Sequence, residues 1–274
     1  TIGSIAGAGS IDIAGSQILN VGGNNSSTSF TGVISGAGAL TKSGSGTLTL
    51  SGTSTFTGAT AITAGKIAIS SNAALGATNG ATTVSSGAAL SISGSITVAE
   101  PITISGTGIS SGGAIVFTGG ANTYSGAISL GATSTIVSSS GTQTISGATN
   151  GGQILTITTS DDLVISGIVG GSTELSSYTI NSSGDATINV NVKTSGNQSY
   201  TASDGVVLSG ARTFEGGTIT FASTTTGDNN LTITGNLDVD AAISGIAVLG
   251  VSGTSNLGAN VSSTGTQSYT GAVT

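Results

Sequence analysis

The feature that most constrains this chain is strict alternation in short bursts. In TLTLS at 47–51, Leu48 and Leu50 stand two apart, separated and flanked by Thr47, Thr49 and Ser51. The same spacing recurs at Ile67 and Ile69, Ile102 and Ile104, Ile219 and Phe221, Leu231 and Ile233, and Leu237 and Val239. A period of two over four to six residues, bounded by Gly, Asn or Ser, predicts short strands with one face buried. Helical spacing is sustained nowhere, and abundant Gly and β-branched residues disfavour helix. The fold class is all-β.

The bursts themselves repeat. An apolar–Ser–Gly step occurs at Ser105-Gly106, Ser125-Gly126, Ser146-Gly147 and Ser166-Gly167, a regular rhythm of the kind that marks repeat architectures. It returns two periods on at Ser209-Gly210. An aromatic motif shares the rhythm less regularly, with Phe30, Phe56, Tyr124, Phe214 and Tyr269 at uneven steps. A repeat of about 20–22 residues holding two or three strands predicts a parallel β-solenoid, in which each strand pairs with its equivalent one turn on, about 4.8 Å away. On this reading 1–274 is a single continuous coil of about thirteen turns. Ile, Leu, Val and the aromatics stack inside, Thr and Ser face water, and Gly supplies the corners. A β-sandwich also has many short strands, but it usually carries more Pro, Trp, Tyr corners and exposed charge.

Composition removes whole classes of function. Charged residues make up 5% of the chain, against roughly 25% in ordinary soluble domains. Only four cations, Lys42, Lys66, Lys193 and Arg212, face eleven carboxylates, for a net charge of -7. No basic footprint exists for nucleic acid or an anionic membrane surface. The longest apolar run, GIAVLGV at 245–251, falls far short of the roughly 18 residues that cross a bilayer, so direct membrane insertion is not expected. Cys and His are absent, which excludes disulfides and His–Cys metal centres. Disorder does not fit a chain rich in Ile, Val and Thr with Pro101 as its one proline.

Residues 33–76, VISGAGALTKSGSGTLTLSGTSTFTGATAITAGKIAISSNAALG, resemble the passenger-associated transport repeat of Gram-negative autotransporters. Lys42, Gly44, Gly46, Leu48, Leu50 and Gly52 occupy its Lys–x–Gly–x–Gly–x–Leu–x–Leu–x–Gly core. Phe56, Gly58, Ile62, Gly65 and Ile67 occupy the aromatic step and the strand that follows. Residues 113–136 are a looser relative, and the remainder is similar to the strand repeats of large bacterial surface adhesins. The resemblance implies a right-handed parallel β-helix, export through the outer membrane, and display at the cell surface or release from it. It implies a structural or adhesive rod that acts as stalk or scaffold for surface attachment. The receptor or glycan is not named by the sequence.

Chemistry is hard to find. Carbohydrate-active β-helices cluster carboxylates on one outer face. Here the candidates are the adjacent Asp161 and Asp162, expected in a turn, and Asp238 with Asp240, expected to face outward on one strand. With Asp228 the second pair could hold Ca²⁺, although solvated surface charge that discourages lateral aggregation is the favoured reading. No base exists for a nucleophilic triad, the β-roll calcium nonapeptide is missing, and no phosphate loop is present. The chain is therefore read as no enzyme, with no cofactor. Threonine pairs such as Thr218 and Thr220 suggest ice binding, but their spacing is not one constant turn.

Ligand contacts, if any, are expected where the period lapses. That is 171–205, with Tyr178, Asp185, Lys193, Tyr200 and Asp204. Neither terminus reads as a cap, so the expectation is either a passenger fragment or a protomer that self-associates head to tail into a filament.

Overall fold

A computed structural model describes residues 2–274. The chain forms two compact units, Thr1–Gly141 and Thr142–Thr274, and each is a parallel β-solenoid. Together they complete about 12 turns. Among the described residues, the single helical element is one 3₁₀ turn, Ile109–Ser111.

In the first unit, Ala39–Lys42 pairs in parallel with Thr60–Ile62, which pairs with Thr82–Val84 and then Ile102–Gly106. A second face stacks Thr28–Phe30, Thr47–Leu50, Lys66–Ile69, Ala89–Ile92 and Ile115–Phe117. The second unit shows all three faces of a turn most clearly. Residues 212–215 and 218–221 are the two arms of Arg212–Phe221, and Thr225–Gly227 forms the third face.

Alternation does what the sequence demands of it. In Thr47–Leu50, Leu48 and Leu50 are buried while Thr47 and Thr49 are half-exposed. Register then stacks like on like, so Leu48, Ile67, Leu90, Ile115 and Ile136 form one inward column. Ile157, Ile180, Tyr200, Phe221 and Val239 form another in the second unit. Each turn touches only its neighbours, so stability accumulates turn by turn.

The Ser–Gly and aromatic steps prove to be mixtures of columns. Ile145, Ile165, Ile188 and Leu208 are in register, which places Gly147, Gly167 and Gly210 at one corner as expected. Gly106 instead ends a strand of a different face and pairs with Ser134, so its place in the rhythm is coincidental. Phe30 pairs with Leu50 on one face, whereas Phe56 donates its amide to Ile34 O on another. The step from Phe30 to Phe56 therefore crosses between faces and is no turn length. Phe214 and Tyr269 do share a column, through Ile233 and Val251. Three short turns separate them.

Turn length is less constant than the rhythm implies. Leu231 pairs with Leu249, and Leu249 with Gln267, so two successive short turns run 231–248 and 249–266. Ile102 pairs with Ile128, which makes 102–127 a much longer turn. That long turn carries the exposed protrusion 109–112, closed at its base by the bridge between Gly108 and Gly113.

Corners are tied between turns by asparagine side chains. Asn191 Oδ1 accepts the amide of Thr213 at 2.9 Å, Asn197 Oδ1 that of Thr218 at 3.0 Å, and Asn236 Oδ1 that of Thr254 at 2.9 Å. Asn236→Ala is expected to lower stability by about 1 kcal/mol, read from the denaturation midpoint. Asn236→Asp keeps the acceptor and should cost less.

Candidate functional site

The match to the transport-repeat pattern has its own geometry. Leu40 and Lys42 alternate inward on Ala39–Lys42, and the column through Lys42 is otherwise Val21, Ile62 and Val84. A lysine therefore stands where its neighbours are aliphatic, and it is only 1% exposed. Its stem fills the column and its ammonium ends at the corner. There Nζ donates to Ser43 O at 2.6 Å, Gly44 O at 2.7 Å and Ala64 O at 3.3 Å. The lysine thus staples two successive turns through carbonyls that the ladder leaves free. Burial pushes its pKa below the usual lysine value, while three acceptors hold the charge. Gly65, at φ 65°, keeps the space clear, since a Cβ there would sit 2.9 Å from Nζ.

Phe56 completes the motif. It is fully buried, and its carbonyl accepts Ala77 N at 2.9 Å from the next turn. Two residues on, Gly58 lies against Gly38 O, and a Cβ would overlap that backbone. The aromatic–x–Gly spacing is thus an inward plug followed by a corner with no room for a side chain.

The acidic residues are spread along the coil. Asp161 and Asp162 sit at a corner, as expected. Asp162 Oδ1 accepts the amide of Asp185 at 3.0 Å, so it ties one turn to the next. Asp238 lies within Leu231–Val239 and is half-buried, bonded to Thr220 Oγ1 at 3.3 Å and Asn256 Nδ2 at 2.9 Å. Asp240 follows the strand end on an exposed corner, and Asp228 bonds the neighbouring Asn229 side chain. Among the described residues, no three His, Cys, Asp or Glu gather as a metal would require. Asp228 and Asp238 instead bond to separate neighbours, Asn229 for the one and Thr220 and Asn256 for the other.

Residues 171–205 are not a departure from the coil. Tyr178 and Tyr200 are fully buried, on Ser177–Ser182 and Gln198–Ala202, which pair in register with each other. The Ser–Gly rhythm lapses there because Asn189 and Val190 stand at the corner position that Ser and Gly fill in adjacent turns. Asp185 opens the third-face strand Asp185–Ile188, and Asp204 lies in the corner just before its partner strand Gly205–Leu208.

Lys193 is on the surface, 3.1 Å from both Glu174 Oε1 and Glu215 Oε1. Bonding to these two carboxylates raises its pKa. These partners are remote in sequence but one turn away on either side, and Lys193 pairs directly with Glu215 in register. Opposite charges offset by about one period were the readable signal. Beside them runs a shallow groove of about 220 Å³ lined by Ile168, Asn191, Thr213 and Glu215, with Ile168 57% exposed.

Neither the curated proteins nor the solved structures compared with the chain include a match. Residues 40–69 match the family model of the passenger-associated-transport-repeat. That family is generally structural or adhesive, and it implies export to the cell surface or extracellular space. The matched residues hold the buried Lys42 staple and the Phe56 plug on a chain wound as a parallel β-solenoid, and this combination fits an autotransporter passenger repeat protein.

Proposed function

We propose that the chain is a stalk segment of an exported bacterial surface protein, holding attachment regions away from the cell. The observation that carries this reading is how the side chains are used. Most large apolar residues fill inward columns, with a few such as Ile18 and Ile168 exposed, and the outer faces are otherwise mainly Thr, Ser, Asn and Gly with few charges. Such a surface is wet, bland and repetitive, which suits a spacer.

The test is removal of one whole turn. Deleting residues 231–248 joins 230 to Leu249, the register partner of Leu231, and leaves every column intact. In bacteria displaying the full protein, attachment should survive this deletion while the displayed segment stays resistant to protease. Loss of attachment with the fold preserved would put recognition within that turn and overturn the stalk reading.

A second reading is a glycan-binding face along the groove beside Lys193. The cross-turn grouping of Lys193, Glu174 and Glu215 favours it, because fixed charges and an exposed aliphatic residue are what a sugar ring would meet. Equal glycan-array signals from the wild type and Lys193→Met would remove it.

A further inference from the structure

One buried group serves neither the packing nor the surface. Glu100 is 3% exposed, and neither carboxyl oxygen has a hydrogen-bond partner. It faces inward by the same parity as Val98 and Ile102. Register places it at the corner filled by Gly38, Gly58 and Gly80 in preceding turns and by Gly126 in the next. A carboxyl therefore projects into the coil where the adjacent turns have no side chain. A solvated carboxylate would have no reason to be there.

The groups around it give no relief. The preceding turn contributes Gly80 and Thr82, neither of which titrates, and Thr82 Oγ1 is itself buried without a partner. The following turn contributes Gly126 and Tyr124, and only Tyr124 titrates. Its hydroxyl donates to the backbone oxygen of Glu100 at 2.7 Å, leaving the carboxyl unanswered. The ion pairs among the described residues all belong to Lys193. Escape by a local backbone flip is also blocked, because Pro101 follows and restricts Glu100 to extended conformations. To hydrate the carboxyl, the corner itself must open.

We propose that Glu100 is a pH-sensitive latch, closing the turn around 97–102 when protonated and loosening that corner when ionised. Burial raises its pKa from the usual 4.5 to about 7. The opened chain gives up the proton first, so the closed corner is favoured fully below about 4.5. That advantage falls as pH rises through the interval to about 7, and is gone above it. Tyr124 stays neutral throughout, since burial, and then the charge of Glu100, drive its pKa up.

The test uses the whole chain labelled with ¹³C at the glutamate carboxyls. Only three glutamates exist, Glu100, Glu174 and Glu215, and the signal missing in Glu100→Gln identifies Glu100. Its chemical shift should titrate with a midpoint near 7, and a midpoint between 4 and 5 would overturn the proposal. Amide exchange supplies the second readout. After correction for intrinsic rates, protection at 97–106 and 123–128 should fall at least about tenfold between pH 5.5 and pH 8 in the wild type. It should stay level in Glu100→Gln. Equal pH dependence in the two proteins would also overturn it, and the wild-type titration decides the matter alone if the variant does not fold.

Discussion

Tyr200→Ala should destabilise the 142–274 unit by about 4–5 kcal/mol, the largest loss expected from any single truncation in that unit. Tyr200 is fully buried and sits at the centre of four rings. It stacks on Phe221 at 5.4 Å between centroids, and meets Phe214 edge-on at 5.3 Å and Tyr178 at 6.3 Å. These rings come from adjacent turns, so the cavity would weaken contacts on both sides of its own turn. Its hydroxyl also donates to Gln198 Oε1 at 2.7 Å, while Gln198 Nε2 donates to Glu215 O at 2.8 Å. Tyr200→Phe removes only the hydroxyl and leaves that oxygen without its donor, a loss of about 1–2 kcal/mol. Urea denaturation followed by circular dichroism measures both. If the two variants lose the same amount, ring packing is not what holds this unit together.

Lys42→Met is expected to cost the 1–141 unit about 2–4 kcal/mol. Methionine nearly matches the aliphatic stem, so the column through Val21 and Ile62 should stay filled. What disappears is the donor shared by Ser43 O, Gly44 O and Ala64 O. Lys42→Arg should not rescue stability, because a planar guanidinium is wider than the corner that Gly65 keeps open. Thermal unfolding at fixed pH tests both variants. A wild-type midpoint for Lys42→Met would mean that the staple is ornamental.

Much of this architecture was legible in the sequence, and the residues explain where legibility stops. Leu48, Leu50, Ile67 and Ile69 declare their faces because strand parity is local, and their stacking follows once turns repeat. The Lys–x–Gly–x–Gly pattern was readable as a motif, but the motif by itself does not say that Lys42 points inward. Its parity with Leu40 says so, and a charged residue overrules that reading until carbonyl acceptors from another turn are seen. Tyr178 and Tyr200 fall in the expected binding segment because the Ser–Gly rhythm lapses around them. Rhythm marks corner chemistry, however, and strands can hold register while a corner changes its residues. The Lys193 pairings join residues a whole turn apart; opposite charges offset by about one period hint at them, but uneven turn length leaves the exact partners open.

The uneven turns bear on reach. Each turn advances the coil by about 4.8 Å whatever its length. A short turn therefore gains about 0.27 Å of height per residue and the long one about 0.18 Å. The turns after Leu231 are thus the more economical extenders. The turn from Ile102 to Ile128 diverts residues sideways into a protrusion at the same gain in height. Lengthening such a protein by copying its short turns would give nearly half as much extension again per residue as copying its long one.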